Sequence, residues 1–238
     1  MNHFYQTSDK FSAAFRCYSI AMMQGSEREN VNHGGKIILP PSALAKLSNL
    51  HIEYPMLFRL ENKKENAATH AGVLEFIAEE GRVYLPRWMM STLMVEEGQL
   101  ISVENTSLAL GKFVKIQPQS VNFLDISDPK AVLEQAFRHF ACLTQGDIIS
   151  ISYNDTLYEI LVMETKPSEK GISIIETDLE VDFAAPLGYI EPEYKPTKLN
   201  DVIYKTVLTF SPSPLLALQN IPSAQQKSLR HLMGLVIA

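Results

Sequence analysis

The sequence predicts a mainly β fold with an α+β part: a barrel or sandwich of short strands, then a small α/β subdomain. Three observations carry this. Residues 11–116 alternate short apolar strings with Gly, Pro and Asn punctuation, which is how strands divided by turns read. One strand-and-helix segment occurs twice, 46 residues apart. A helix signal near residue 128 leads into a hairpin signal at Asn154-Asp155.

In the first zone, "FRCYSIAMM", "GGKIILP", "YPMLFRLEN", "AGVLEFIAEEG", "GRVYLP" and "GQLISVENTSLAL" are the strand candidates, and short helices are expected after Pro40 and after Pro86. The segments "GGKIILPPSALAKL" (Gly34–Leu47) and "EGRVYLPRWMMSTL" (Glu80–Leu93) align as two copies. Gly35 matches Gly81, Lys36 matches Arg82, Leu39-Pro40 matches Leu85-Pro86, and Leu44 and Leu47, expected to face the core, match Met90 and Leu93, expected to do the same. Each copy is followed by a strand ending in a similar tripeptide, "LEN" at Leu60–Asn62 and "VEN" at Val103–Asn105. Proline suits the junction, because it cannot donate to a ladder and is preset for a first helical turn. Two strand, helix, strand units related by a pseudo-twofold axis favour the barrel, since closure removes exposed strand edges.

In the second zone, Ser127 or Asp128 can cap a helix opened by Pro129. Val132, Leu133, Ala136, Phe137 and Phe140 continue it at helical spacing, so one face is expected to be buried. "GDIISISYNDTLYEILVMETKP" reads as two strands around Asn154-Asp155, residues that tolerate the positive φ of a tight turn. "ISIIETDLEVDF" supplies another strand or two, half-buried and acidic on its outer face. From about Tyr194 the prolines at 196, 212, 214 and 222 break any sustained period and read as a linker or tail, although "SAQQKSLRHLMGLV" has the composition of a short amphipathic helix.

Composition bounds the function. The 238 residues are 46% hydrophobic and 20% charged, enough for a substantial core. No run of 18 apolar residues and no secretory signal is visible, so the chain is expected in the cytosol or nucleus without membrane insertion. Residues 1–194 hold 16 basic and 26 acidic side chains, against 5 and 1 in residues 195–238. An acidic body repels phosphate backbones, which disfavours nucleic acid and favours a basic protein partner.

Chemistry-bearing motifs are absent. No D-[ST]-G turn offers the paired carboxylates of an aspartic protease, and His33, His51, His70 and His139 form neither H-x-H nor H-x-x-x-H. "HGGK" at His33–Lys36 lacks the phosphate-loop frame. Cys17 and Cys142 lie in apolar strings and read as buried free thiols. No catalytic, cofactor-binding or metal-binding residue is assigned. Glu79-Glu80 and Glu96-Glu97 each precede a Gly, as solvated turn residues or as part of an acidic rim.

Trp88 is the one candidate binding residue. It aligns with Ser42 of the first copy and shares a helical face with Ser91, Thr92 and Val95, so partial exposure and availability to a partner are expected. Packing against a neighbouring loop or the second domain is the competing expectation.

Taken together, "GGKIILPPSAL", "YPMLFRLEN", "THAGVLEFIAEEGRVYLPRWMM", "QPQSVNFLDISDPKAVLEQAFRHFACLTQGDIISISYN", "YEILVMETKP" and "ISIIETDLEVDFAAPLGY" closely resemble the N-terminal domain of the ubiquitin fusion degradation protein 1 family, from about Phe11 to Glu193. The resemblance implies a double-psi β-barrel over 11–118, an α/β subdomain over 119–193 and a tail over 194–238. It also implies a non-enzymatic adaptor without cofactor that binds polyubiquitin; the resemblance maps no contact residue, and Trp88, singled out by the repeat, is the candidate ubiquitin-binding residue. Paired with nuclear protein localization protein 4, such an adaptor recruits ubiquitylated clients to an AAA unfoldase, including in ER-associated degradation. The tail departs from the family. It has "FSPS" from Phe210 but no F-x-G-x-G motif, so the resemblance does not extend direct ATPase docking or partner binding to it, as in a truncated, spliced or divergent form. A barrel-fold hydrolase and an assembly-only paralogue without ubiquitin binding stay open as alternatives.

Overall fold

A computed structural model describes residues 10–23, 29–50 and 52–190. The expected tail, with Phe210 and the "SAQQKSLRHLMGLV" segment, lies outside the described residues, as does His51. Six strands close into a barrel: β1 (Ser12–Ser19), β2 (Lys36–Ile38), β3 (Leu57–Asn62), β4 (Ala67–Glu75), β5 (Arg82–Leu85) and β6 (Leu100–Thr106), in the order β1-β5-β2-β4-β3-β6. Three helices sit among them: α1 (Glu29–Asn32), α2 (Pro41–Ser48) and α3 (Arg87–Thr92).

The register contains the expected two-fold relation. Ile38 of β2 pairs antiparallel with Tyr84 of β5, its own equivalent 46 residues on. At the other side of the barrel Leu60 pairs with Val103, the matched first residues of "LEN" and "VEN". Residues that face their own repeat partners lie on a two-fold axis. The parallel pairs agree: β1 runs beside β5 and β2 beside β4, so each copy lends a strand to the other. This interlocking is the arrangement of a double-psi barrel. Phe15, Cys17, Phe58, Leu60, Ile101 and Val103 alternate into its interior.

The helices follow the repeat less closely. Ala43 and Leu47 of α2 are buried, as are their equivalents Met89 and Leu93. Leu44, expected to face the core, is 41% exposed, whereas its equivalent Met90 is 6% exposed. The difference comes from outside the barrel, because α3 meets the strand Ile148–Tyr153 of a second sheet.

That sheet has the order β12-β7-β10-β9, from β7 (Phe113–Pro118), β9 (Ile148–Tyr153), β10 (Thr156–Lys166) and β12 (Glu180–Phe183). β8 (Cys142–Leu143) and β11 (Ile172–Ser173) form a small separate pair. The expected hairpin is present: Tyr153 pairs with Thr156, and Asn154 and Asp155 take φ of 48° and 58°. Phe113–Pro118, placed by sequence at the end of the 11–118 barrel, instead pairs with β10 and β12, and the last barrel strand ends at Thr106. Its inward Val114 and Ile116 would satisfy either sheet, so only the pairing partner decides.

Helix α4 (Pro129–Phe137) is capped by Asp128, whose carboxylate accepts from the Ala131 N–H at 3.0 Å. It ends before Phe140 because the chain turns to the barrel, where the Gly35 N–H donates to the His139 carbonyl.

Candidate functional site

The seam between barrel and second subdomain holds Trp88 and the glycines of "HGGK". Trp88 lies in it, 8% exposed, its Nε1–H donating to the Gly34 carbonyl at 2.8 Å. Its ring stacks on Phe140, with centroids 6.1 Å apart and planes 29° apart. The expectation that Trp88 is partly exposed is therefore corrected, and the competing one, packing against the second domain, is what the structure shows. α3, unlike α2, is covered by the second subdomain, and the indole fills that contact while Ser42 in the first copy faces outward to Glu80.

Glycines let the two parts close. A Cβ on Gly35 would lie 2.4 Å from the Phe140 ring, and one on Gly72 2.4 Å from the Ala141 Cβ. The "HGGK" stretch is thus a close-packing site, with no helix N-terminus behind it. Gly35→Ala is expected to cost about 1–3 kcal/mol of stability by overpacking, read as a lower denaturant midpoint at constant slope. An unchanged midpoint would show that the seam yields.

Beside the seam a polar groove of about 640 Å³ is lined by Arg59, His70, Thr106, Ser107, Thr144 and Lys170, among others. Two buried polar pairs stand behind it. His70 Nδ1 lies 3.0 Å from Thr144 Oγ1, and the Thr69 hydroxyl donates to the Asp147 carboxylate. Burial, helped by the Arg59 charge, pushes His70 down to about 4. Burial raises Asp147 to about 7 against the opposing Thr69 hydrogen bond. Burial also raises the Cys17 thiol to about 11 and holds Cys142 protonated. Neither cysteine is an activated nucleophile. Among the described residues no three His, Cys, Asp or Glu side chains come together as a metal site, and no helix is long and apolar enough to cross a membrane. The groove presents hydrogen-bonding side chains from Arg59, Thr106, Ser107, Thr144 and Lys170.

The acidic turns are tied into the fold. Glu80 accepts from the Ser42 N–H and hydroxyl at the start of α2, Glu79 from the Tyr84 hydroxyl at 2.7 Å, and Glu97 from the Ser19 N–H at 2.9 Å. On the second sheet, Asp182 of β12 pairs with Lys115 at 3.0 Å. Sequence reasoning missed these roles because the partners lie 38 to 78 residues away, except in the Glu79–Tyr84 pair.

Comparison with known proteins covers the same two parts. Residues 11–109 match the family model described as ubiquitin fusion degradation protein UFD1, N-terminal subdomain 1, and residues 110–186 match N-terminal subdomain 2. The chain is 58% identical over 186 residues to the Homo sapiens protein named ubiquitin recognition factor in ER-associated degradation protein 1, covering 78% of this chain and 60% of that one. It is 56% identical over 200 residues to ubiquitin fusion degradation protein 1 of Saccharomyces cerevisiae, covering 83% and 55%. The Dictyostelium discoideum homolog is 50% identical over 187 residues, covering 79% and 56%. The chain thus spans less than two thirds of the length of these relatives.

Proposed function

This chain belongs to the ubiquitin fusion degradation protein UFD1 family, and on that premise we propose that it is a polyubiquitin-binding adaptor helping to deliver ubiquitylated proteins to an AAA unfoldase. The family's role lies in ubiquitin-dependent degradation, a role of recognition, so the chain is not an enzyme and the hydrolase alternative falls away. One observation carries the proposal: both N-terminal subdomains match in order, and the chain is 58% identical across them to a protein named for ubiquitin recognition in ER-associated degradation. The acidic charge of residues 1–194 supports it, because ubiquitin surrounds its apolar recognition patch with basic side chains. Nuclear protein localization protein 4 is the proposed bridge to the unfoldase, and the cytoplasm and nucleus are the proposed compartments.

The test is direct binding to ubiquitin chains of defined linkage, beside the ATPase and the bridging partner. Chain binding that weakens as salt rises is the expected result. Assembly with the partners but not with ubiquitin would favour the assembly-only reading, and binding to none would overturn the adaptor.

A further inference from the structure

The polar groove beside the seam runs against the charge of the chain. Residues 1–194 hold 26 acidic and 16 basic side chains, yet the groove lining contains Arg59 and Lys170 and no Asp or Glu. The barrel contributes Arg59 of β3 and His70 of β4, which lie opposite one another in the register, and Thr106 at the end of β6. The loop before β11 contributes Lys170, and Thr144 lies behind His70. A groove of about 640 Å³ is the size of a small-ligand site.

Several of these groups have donors to spare. The Lys170 ammonium is exposed and has no ion pair among the described residues, and the Thr106 hydroxyl has no hydrogen bond among them. Arg59 gives Nη2 to Glu61 at 3.0 Å and keeps its remaining N–H groups. The Thr144 hydroxyl has no acceptor among the described residues other than His70 Nδ1, at 3.0 Å. Donating there, it leaves the ring proton on Nε2, which has no partner among the described residues and is reached by solvent. Burial and the Arg59 charge keep the ring neutral near neutral pH, so it offers an N–H and not a cation. The nearby carboxylates are engaged: Glu61 by Arg59, Glu53 by the Ser107 hydroxyl at 2.6 Å, and Glu104 by the hydroxyls of Ser12 and Ser102. Glu61 and Glu104 offset much of the Arg59 charge, which leaves Lys170 as the uncompensated cation.

We infer that this groove binds a phosphomonoester group, with Lys170 and Arg59 as its charged contacts and Thr106 and the His70 Nε2–H as neutral donors. Donors that arrive both from the barrel wall and from the loop before β11 match a tetrahedral group with terminal oxygens in several directions. A planar carboxylate, by contrast, is satisfied by a single guanidinium fork. A free phosphorylated metabolite and a phosphorylated side chain of a partner protein present the same oxygens, so the chemistry is shared and only the source differs. The site stands independently of the ubiquitin reading.

The experiment titrates the isotope-labelled 238-residue chain with inorganic phosphate, glycerol phosphate and a glycine-phosphoserine-glycine peptide, with acetate as the planar control, at constant ionic strength. NMR follows the amide and imidazole signals. Saturable shifts at Lys170, Gly171 and the His70 Nε2–H are expected with the phosphates and not with acetate. Lys170→Glu is expected to weaken phosphate binding at least about tenfold, the scale of one charge-assisted hydrogen bond, at an unchanged denaturation midpoint because the side chain is exposed. Lys130→Glu, on α4 and outside the groove lining, is expected to change binding by less than about twofold. Tighter binding of the peptide than of glycerol phosphate would support the site with a protein as its source, and the reverse order would support it with a metabolite. No saturable shift with any phosphate would overturn the site. Equal binding of acetate would overturn the phosphoryl assignment, and an equal loss on Lys130→Glu would overturn the groove by showing a general effect of charge.

Discussion

Trp88→Ala is expected to lower the unfolding free energy by about 3–5 kcal/mol, the range for emptying a well-packed aromatic site. The side chain is 8% exposed, stacks on Phe140 and satisfies the Gly34 carbonyl. Its removal therefore leaves a void and an unpaired acceptor at the seam where barrel and second subdomain meet. Trp88→Phe, which restores a ring but not the N–H, is expected to recover more than half of the loss. Urea unfolding of the three proteins checks this. A cost below about 0.5 kcal/mol for alanine, the level of an ordinary surface change, would contradict the buried placement and revive Trp88 as a surface contact. Any effect of these variants on ubiquitin binding is expected to track their stability.

The second large effect is electrostatic. Asp147, with its folded value raised to about 7, binds its proton more tightly when folded than when unfolded, where carboxylates titrate near 4. It therefore adds stability that is complete below pH 4 and is lost as pH rises through 7. His70, lowered to about 4, has the opposite sign: its contribution is complete above pH 6.5 and disappears as pH falls through 4. Between pH 4 and 6.5 the two slopes oppose one another, and above 6.5 only Asp147 remains. Wild-type stability is accordingly expected to change little from pH 4.5 to 6.5 and to fall between 6.5 and 8. Asp147→Asn keeps an oxygen for the Thr69 hydroxyl and removes the buried charge. It is expected to be more stable than wild type by about 2–4 kcal/mol above pH 8 and indistinguishable from it near pH 4. Thermal unfolding across this range decides: parallel wild-type and Asn profiles would remove Asp147 as the titrating group.

Much of the architecture is written locally. The Asn154-Asp155 turn, the Asp128 cap and the Leu-Pro junctions of the two copies are each carried by a few adjacent residues, and each appears where those residues place it. The two-fold relation was legible because the same short signals occur twice, and the register places Ile38 on Tyr84 and Leu60 on Val103.

The candidate site was much less legible. Trp88 sits opposite a serine in the repeat, which marks it as having a task beyond the barrel without saying which. Its stacking partner, Phe140, is 52 residues away, in a stretch read from sequence as the end of a helix.

By itself, then, the sequence determined the elements, their turns and caps, the doubled barrel and the family. Tertiary structure alone decided that β7 leaves the barrel for the second sheet, that Met90 is covered while Leu44 is not, and that Trp88 is a seam and not a surface. The physical reason is range. Periodicity and capping act over two to four residues and fix which way a side chain points from its own element. Burial depends on which distant element arrives to cover it, and that information is spread over pairs of residues tens of positions apart.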